Sequence, residues 1–405
     1  MSKSRHSTSI IPLTAARDRG PTRYFHGRKR SQRNFKELLQ RATQAGNGTT
    51  FLIQGAPGVG KTALVHECKK HALEGGWDVA SITPPALWDS DELRYALGRG
   101  SRLSVTGGSG KVGVDAVVKI EASLDFSVNP EARTVMQVLR DGKKPLVLAL
   151  DEAQALGKPN IPPSDQVGIV SSVLNSIHNG DLDRPVILLA AGLGMTLTTF
   201  GELGISRFAA RCVVELGPLS KEEERAVIRD WIKKEGGAKG DPTTWIDAIA
   251  LETHGWAQHI QSYADCAADQ LTANDGIMTP GGLSAALEAG REGRKVYYKQ
   301  RVEGFRADQL RCLARAIAAV PQGAPAEYRD IVSSLAQEYG EDGAQDLFRK
   351  LEAEGLLTAS GMGYAVPIPS MHAWLKDVYV RESIEIPPAP TMGHSFHERK
   401  SGRER

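Results

Sequence analysis

The sequence offers little that would tie it to a membrane, an oxidising compartment or a polyanion as a whole. Its four cysteines, Cys68, Cys212, Cys266 and Cys312, are scattered through 405 residues. None stands at C-x-x-C or metal-ligand spacing, which speaks against a disulfide framework and for reduced core thiols. There is no apolar N-terminal stretch of the leader type, and the longest apolar runs, such as Val186 to Ala191, fall far short of the roughly 20 residues a spanning helix needs. The formal net charge is only +2, so any charge-driven partner must be met by a local cluster. These absences predict a cytoplasmic protein of ordinary globular composition, with no membrane partner. Its length suits two or three domains.

What is present begins with Gly55-Ala56-Pro57-Gly58-Val59-Gly60-Lys61-Thr62, which satisfies G-x-x-x-x-G-K-[ST] at every fixed position. Glycines let main-chain N–H groups turn inward around phosphates, Lys61 adds a point charge, and Thr62 offers a hydroxyl to Mg²⁺. The context fits. Thr49 to Gln54 reads as a buried strand leading in, and Ala63 to Leu73 as a helix leading out. The alternative, an ordinary glycine-rich turn, does not call for that context.

A second signal is Pro145-Leu146-Val147-Leu148-Ala149-Leu150-Asp151-Glu152-Ala153-Gln154. A buried parallel strand whose C-terminal end faces a metal must read as an apolar run closed by acids. Asp151 is placed to hold Mg²⁺ and Glu152 to orient or deprotonate an attacking water. The bland reading is a surface acid pair at a strand end. Between these signals, Lys111 to Ile120 and Ser123 to Val128 alternate with period two and predict a β-hairpin inserted over residues 101–129. It reads either as a contact element for DNA or a neighbouring subunit, or as a sheet extension or mobile loop.

Charge is concentrated at the start. Residues 1–33 carry nine Lys or Arg against one acid, Asp18. Such a cluster suits nucleic-acid phosphates and equally suits a solvated tail. Within it, Tyr24-Phe25-His26-Gly27-Arg28 precedes an amphipathic helix, Phe35 to Arg41, and then the strand and phosphate loop. This opening resembles that of AAA+ ATPases in the origin-recognition/initiator clade and of related STAND signalling ATPases.

The resemblance implies an α/β fold: a parallel sheet in the order 5-1-4-3-2 over residues 23–217, behind a basic arm at 1–22. It implies ATP and Mg²⁺ as cofactors. The phosphate loop from Gly55 to Thr62, with Ala63, would hold the phosphates, Phe25, Gly27 and Arg28 the base, and Thr62 and Asp151 the metal. Asp151 and Glu152 match the family's D-E box. The stretch Ser206-Arg207-Phe208 resembles the box that presents an arginine to the next subunit's γ-phosphate, making Arg207 catalytic in trans alongside Glu152 and Lys61, with Arg211 the runner-up. Two departures stand out. The fourth strand ends in Gly192-Leu193-Gly194-Met195 where the family carries a polar sensor, leaving Thr196 as a substitute. Gln258 stands where a second sensor arginine would be and would bind the nucleotide through a phosphate oxygen without supplying a charge, with His259 as an alternative stand-in.

Downstream, Ser220-Lys221-Glu222-Glu223-Glu224 reads as a capped helix start, opening an all-helical lid over 218–290. Residues 285–306 present Arg291, Arg294, Lys295, Lys299, Arg301 and Arg306 interleaved with Tyr297 and Tyr298, and 291–304 reads as a basic linking helix. Three helices and a two-stranded ribbon over 305–380 resemble the winged-helix domain of initiators, with a disordered tail at 381–405. The acids Glu341, Asp342, Asp346, Glu352 and Glu354 on the third helix outnumber Arg349 and Lys350, which suits a protein contact better than a DNA groove. The expectation is an ATP-dependent switch that forms homo-oligomers. It would act on DNA through residues 1–33 and 291–306 or, alternatively, act as a STAND-like switch that binds a protein partner.

Overall fold

The computed structural model describes residues 24–100, 135–158, 161–318, 320–321 and 324–381. The arm at 1–22, the hairpin expected at 101–129 and the tail beyond Arg381 lie outside the described residues.

Five parallel strands form the core: β1 (Thr49–Gly55), β2 (Asp78–Ile82), β3 (Leu146–Leu150), β4 (Val186–Gly192) and β5 (Val213–Leu216). Their order, β2-β3-β4-β1-β5, is the expected one read from the other edge. Every residue of β3 and β4 is buried, as central strands covered on both faces must be. Side chains alternate between the faces. Phe51, Ile53, Val147, Ala149, Ile187 and Leu189 pack on one side with α1 (Lys29–Ala45) and α2 (Lys61–Glu74). Leu52, Leu148, Leu150, Leu188 and Ala190 pack on the other with α3 (Ser90–Gly100), α4 (Val135–Arg140), α5 (Val167–Asn179) and α6 (Thr196–Glu202). In register, Gln54 of β1 lies beside Gly192 of β4, and Leu150 of β3 beside Ala190. The end of β4 therefore sits between the phosphate loop and the Asp151-Glu152 pair.

A separate apolar cluster holds α7 (Lys221–Lys234), α8 (Thr243–Thr253), α9 (Ala257–Ala273) and α10 (Pro280–Val302), built on Ile228, Trp231, Ile249, Ile260, Tyr263 and Leu271. Ser220 caps α7 as the sequence suggests, within a full capping box closed by Glu223. Helix α10 runs unbroken through Gly290 and Arg291, where the sequence suggested a boundary. The apolar face at its C-terminal end continues the main core: Tyr298 and Val302 pack with α11 (Ala307–Ala318), α12 (Tyr328–Ala353) and α13 (Pro369–Lys376). Helix α12 breaks at Gly340, whose φ of 69° divides it into two pieces. A short antiparallel ribbon follows, β6 (Thr358–Ser360) with β7 (Gly363–Ala365). Tyr364 bridges back to Ala326 ahead of α12.

Candidate nucleotide site

The phosphate loop closes through glycine. Gly58 and Gly60 have φ of 75° and 100°, a left-handed backbone that a side chain would strain. Lys61 opens α2 with its ammonium bonded to the carbonyl oxygens of Gly55 (2.9 Å) and Ala56 (3.1 Å). Burial lowers the Lys61 pKa, opposed by the carboxylates of Glu152 and Asp151 and reinforced by the charge of Arg301. Four charged groups thus converge on the loop, and Arg301 arrives from the far end of α10.

Thr62 Oγ1 donates to Asp151 Oδ2 at 2.8 Å. This brings together the two residues expected at the metal, and a hydroxyl beside a carboxylate is a donor set suited to Mg²⁺. Among the described residues no three His, Cys, Asp or Glu side chains form a metal cluster, and an ion that shares its shell with phosphates and water does not need one. Glu152 follows in the left-handed conformation, φ 54°. Such a non-glycine residue costs about 1 kcal/mol, a strain concentrated at functional sites.

Phe25 to Arg28 lie against the loop. Arg28 donates to the carbonyl oxygens of Val59 (3.3 Å) and Gly217 (2.6 Å), spanning the loop and the end of β5. Burial lowers its pKa, while Glu223 works in the opposite direction. His26 meets Asp230 at 3.1 Å, and the Arg28 N–H donates to Glu223 Oε1 at 3.2 Å.

The start of α9 and the last turns of α10 also press directly on the loop. The N–H of Gln258 donates to Gly58 O at 3.0 Å, and Tyr297 Oη donates to Pro57 O at 3.1 Å. A Cβ on Gly58 would lie 2.8 Å from Tyr297 Oη, 3.0 Å from Gln258 Cβ and 3.1 Å from Trp256 Nε1. Glycine is thus required here for close approach as well as for its φ. The turn leading into α9 is held by buried Glu224, which accepts from Gly255 N at 2.6 Å.

Several expected residues take other positions. Thr196 Oγ1 donates to Leu193 O, 2.6 Å away, and closes the turn into α6. His259 is 1% exposed, with neither ring nitrogen bonded among the described residues, and stacks edge-on against Tyr297 and Tyr298. It is a packed aromatic and no substitute for an arginine. Gln258 Nε2 bonds Ser262 Oγ at 3.3 Å. Arg207 is exposed, and its carbonyl oxygen lies 2.6 Å from His178 Nε2. Arg211 pairs with Glu37 at 3.1 Å.

The basic-aromatic helix differs most from its sequence reading. Arg291 and Arg294 pair with Glu252, Arg301 bonds Glu354 O, and Arg306 pairs with Asp308. Tyr298 is buried and Tyr297 serves the phosphate loop. The cations are mostly engaged within the chain, because helical spacing aims Arg291 and Arg294 at the same carboxylate. Tyr297, Trp256, Arg301 and Gln154 are site residues that sequence reasoning left without a role there. Gln154 stood in the Asp-Glu-Ala-Gln run and Tyr297 and Arg301 in the basic-aromatic run, but neither pattern pointed to these contacts.

A phosphate loop after the first strand, an acid pair after the third and a 2-3-4-1-5 parallel sheet define a P-loop ATPase core of the AAA+ type. Residues 24–161 match the family model of an AAA ATPase domain. No curated protein matches the chain by sequence. Among solved structures it is similar to the Walker-type ATPase PABY2304 of Pyrococcus abyssi: 17% identity, TM-score 0.56, 87% of this chain and 96% of that one covered. It is also similar to the ORC2 protein of Aeropyrum pernix in its ADPNP-ADP complexes, with 14% identity, TM-score 0.53, and 89% and 97% coverage. At these identities the likeness is one of fold. No helix among the described residues is long and apolar enough to cross a membrane.

Proposed function

We propose that the chain binds and hydrolyses ATP with Mg²⁺ as a switch that self-associates in its ATP state. The observation that carries this reading is the pairing of Thr62 with Asp151 beside Lys61, with Glu152 next in the chain. Gly55 to Ala63 would cradle the phosphates, Thr62 and Asp151 would hold the metal, and Phe25, Gly27, Arg28 and Gln258 would border the nucleotide. Bound Mg²⁺ would neutralise charge developing on the phosphates. Glu152 then orients the attacking water, and Arg207, exposed on the surface, serves a neighbouring copy. The chain divides under this reading into core, helical lid, linking helix and winged-helix unit. The helices and ribbon of residues 305–380 support the last assignment.

Two outputs remain distinct. A DNA-associated switch draws on the basic residues of 1–33. A signalling switch with a protein partner draws on the internal pairing of Arg291, Arg294 and Arg306, which removes much of the second basic surface. Phosphate release from ATP, with Lys61→Ala as control, tests the ATPase reading; absence of Lys61-dependent turnover at any protein concentration overturns it. Anisotropy of labelled duplex DNA at two salt concentrations, with and without a slowly hydrolysed ATP analogue, separates the outputs, since phosphate contacts weaken steeply with salt. No salt-sensitive binding in either state would exclude the DNA reading.

A further inference from the structure

The end of β4 carries a glycine where a polar side chain was expected, and the space is already filled. A Cβ on Gly192 would lie 2.6 Å from Gln154 Oε1 and would run into Thr196 Oγ1. Gln154 enters this space from the other strand, in the short 3-10 helix after β3, and is only 7% exposed.

Its two amide atoms face different partners. Oε1 accepts from the N–H of Leu193 at 3.1 Å, and Nε2 donates to Glu152 Oε2. The orientation is dictated by chemistry: a main-chain N–H can only donate and a carboxylate can only accept, so a flipped amide would oppose both. Glu152 itself is held in its left-handed conformation by its N–H to Asp151 Oδ1 at 3.0 Å and by Ala155 N to its carbonyl at 2.8 Å. With the main chain so held, Gln154 is the side chain that bonds the Glu152 carboxylate among the described residues.

Leu193 is also where other parts of the molecule meet the core. Beyond it the chain enters α6 and then the segment with Arg207. A Cβ on Gly355, after α12, would lie 3.6 Å from Leu193 Cδ2 and 3.0 Å from Pro57 Cδ. A shift of the β4 end, produced by a neighbouring subunit or by the C-terminal helices, would bear on Gln154 through its bond to the Leu193 N–H.

We propose that Gln154 is a positioning residue that transmits the position of the β4 end to the Glu152 carboxylate, doing from β3 what a side chain on β4 would otherwise do. The proposal rests on the reading of Glu152 as the water-orienting group. It assigns regulation of turnover, and not nucleotide affinity, to this amide.

Two near-isosteric variants test it. Gln154→Glu keeps the acceptor for Leu193 but turns the donor into an acid facing Glu152, while Gln154→Met keeps volume and loses both bonds. Each is expected to lower kcat by about tenfold or more, with KM, the Kd of a labelled ATP analogue and the melting temperature close to wild type. A double-mutant cycle supplies the readout that a packing role would not move. In a Glu152→Gln background, adding Gln154→Met should leave the residual rate unchanged, because the amide acts through Glu152. Normal kcat in Gln154→Glu, or equal losses from Gln154→Met in both backgrounds, would overturn the proposal. Failure of the wild-type protein to hydrolyse ATP would overturn the ATPase reading instead, so the two failures are distinguishable.

Discussion

Tyr297 donates its hydroxyl to the carbonyl oxygen of Pro57 across 3.1 Å, fastening α10 to the middle of the phosphate loop 240 residues earlier in the chain. The bond makes the loop a joint between three parts of the molecule, since Gln258 reaches the neighbouring Gly58 and Gly355 abuts Pro57.

Removing only that hydroxyl, in Tyr297→Phe, should cost about 1 kcal/mol of stability, the usual worth of one such bond. Gly58→Ala should cost more, because its Cβ meets Tyr297, Gln258 and Trp256 and its φ of 75° disfavours a side chain. Urea midpoints rank the two, and labelled nucleotide should show weaker binding for Gly58→Ala.

Lys61 and Glu152 divide binding from chemistry. Lys61→Ala is expected to abolish nucleotide binding, whereas Glu152→Gln should bind normally and lose turnover. Fluorescence titration alongside phosphate release checks both, and normal turnover by Glu152→Gln would remove its assignment.

Arg207 is exposed while Arg211 is engaged with Glu37. Arg207→Ala should therefore lose turnover, by about tenfold or more, only where copies meet. An equimolar mixture of Arg207→Ala and Glu152→Gln chains should recover activity, each supplying what the other lacks. Mixtures no more active than either variant alone would count against delivery in trans.

His259 predicts a pH dependence of stability. Burial, with the charges of Arg294 and His254 adding to it, lowers its pKa to about 3 from 6.5. The unfolded chain then takes up the proton first, so this contribution is fully present above pH 6.5 and is lost as pH falls towards 3. The limiting slope is about 1.4 kcal/mol per pH unit. Denaturation at pH 7.5 and 5 should show a flatter loss for His259→Phe than for the wild type.

The phosphate loop and the Asp151-Glu152 pair were legible because each is a contiguous stretch whose chemistry fixes its surroundings, whereas the strand order followed from the family resemblance. Gln154 was not, since its meeting with Leu193 depends on how β3 and β4 align. Thr196 and His259 looked available only because sequence does not show a hydroxyl turned back to Leu193 or a ring enclosed by two tyrosines. The run from Arg291 to Arg306 looked like a polyanion surface because Glu252, the partner of Arg291 and Arg294, lies in another helix.

Glu223 closes the capping box of α7 and also accepts the N–H of Arg28, while Gly27 sits so close that a Cβ there would collide with the Glu223 side chain. The segment beside the phosphate loop is therefore anchored to the first turn of α7 as well as to the core. A movement of α7 would therefore carry Gly27 and Arg28 with it and shift the segment that includes Phe25.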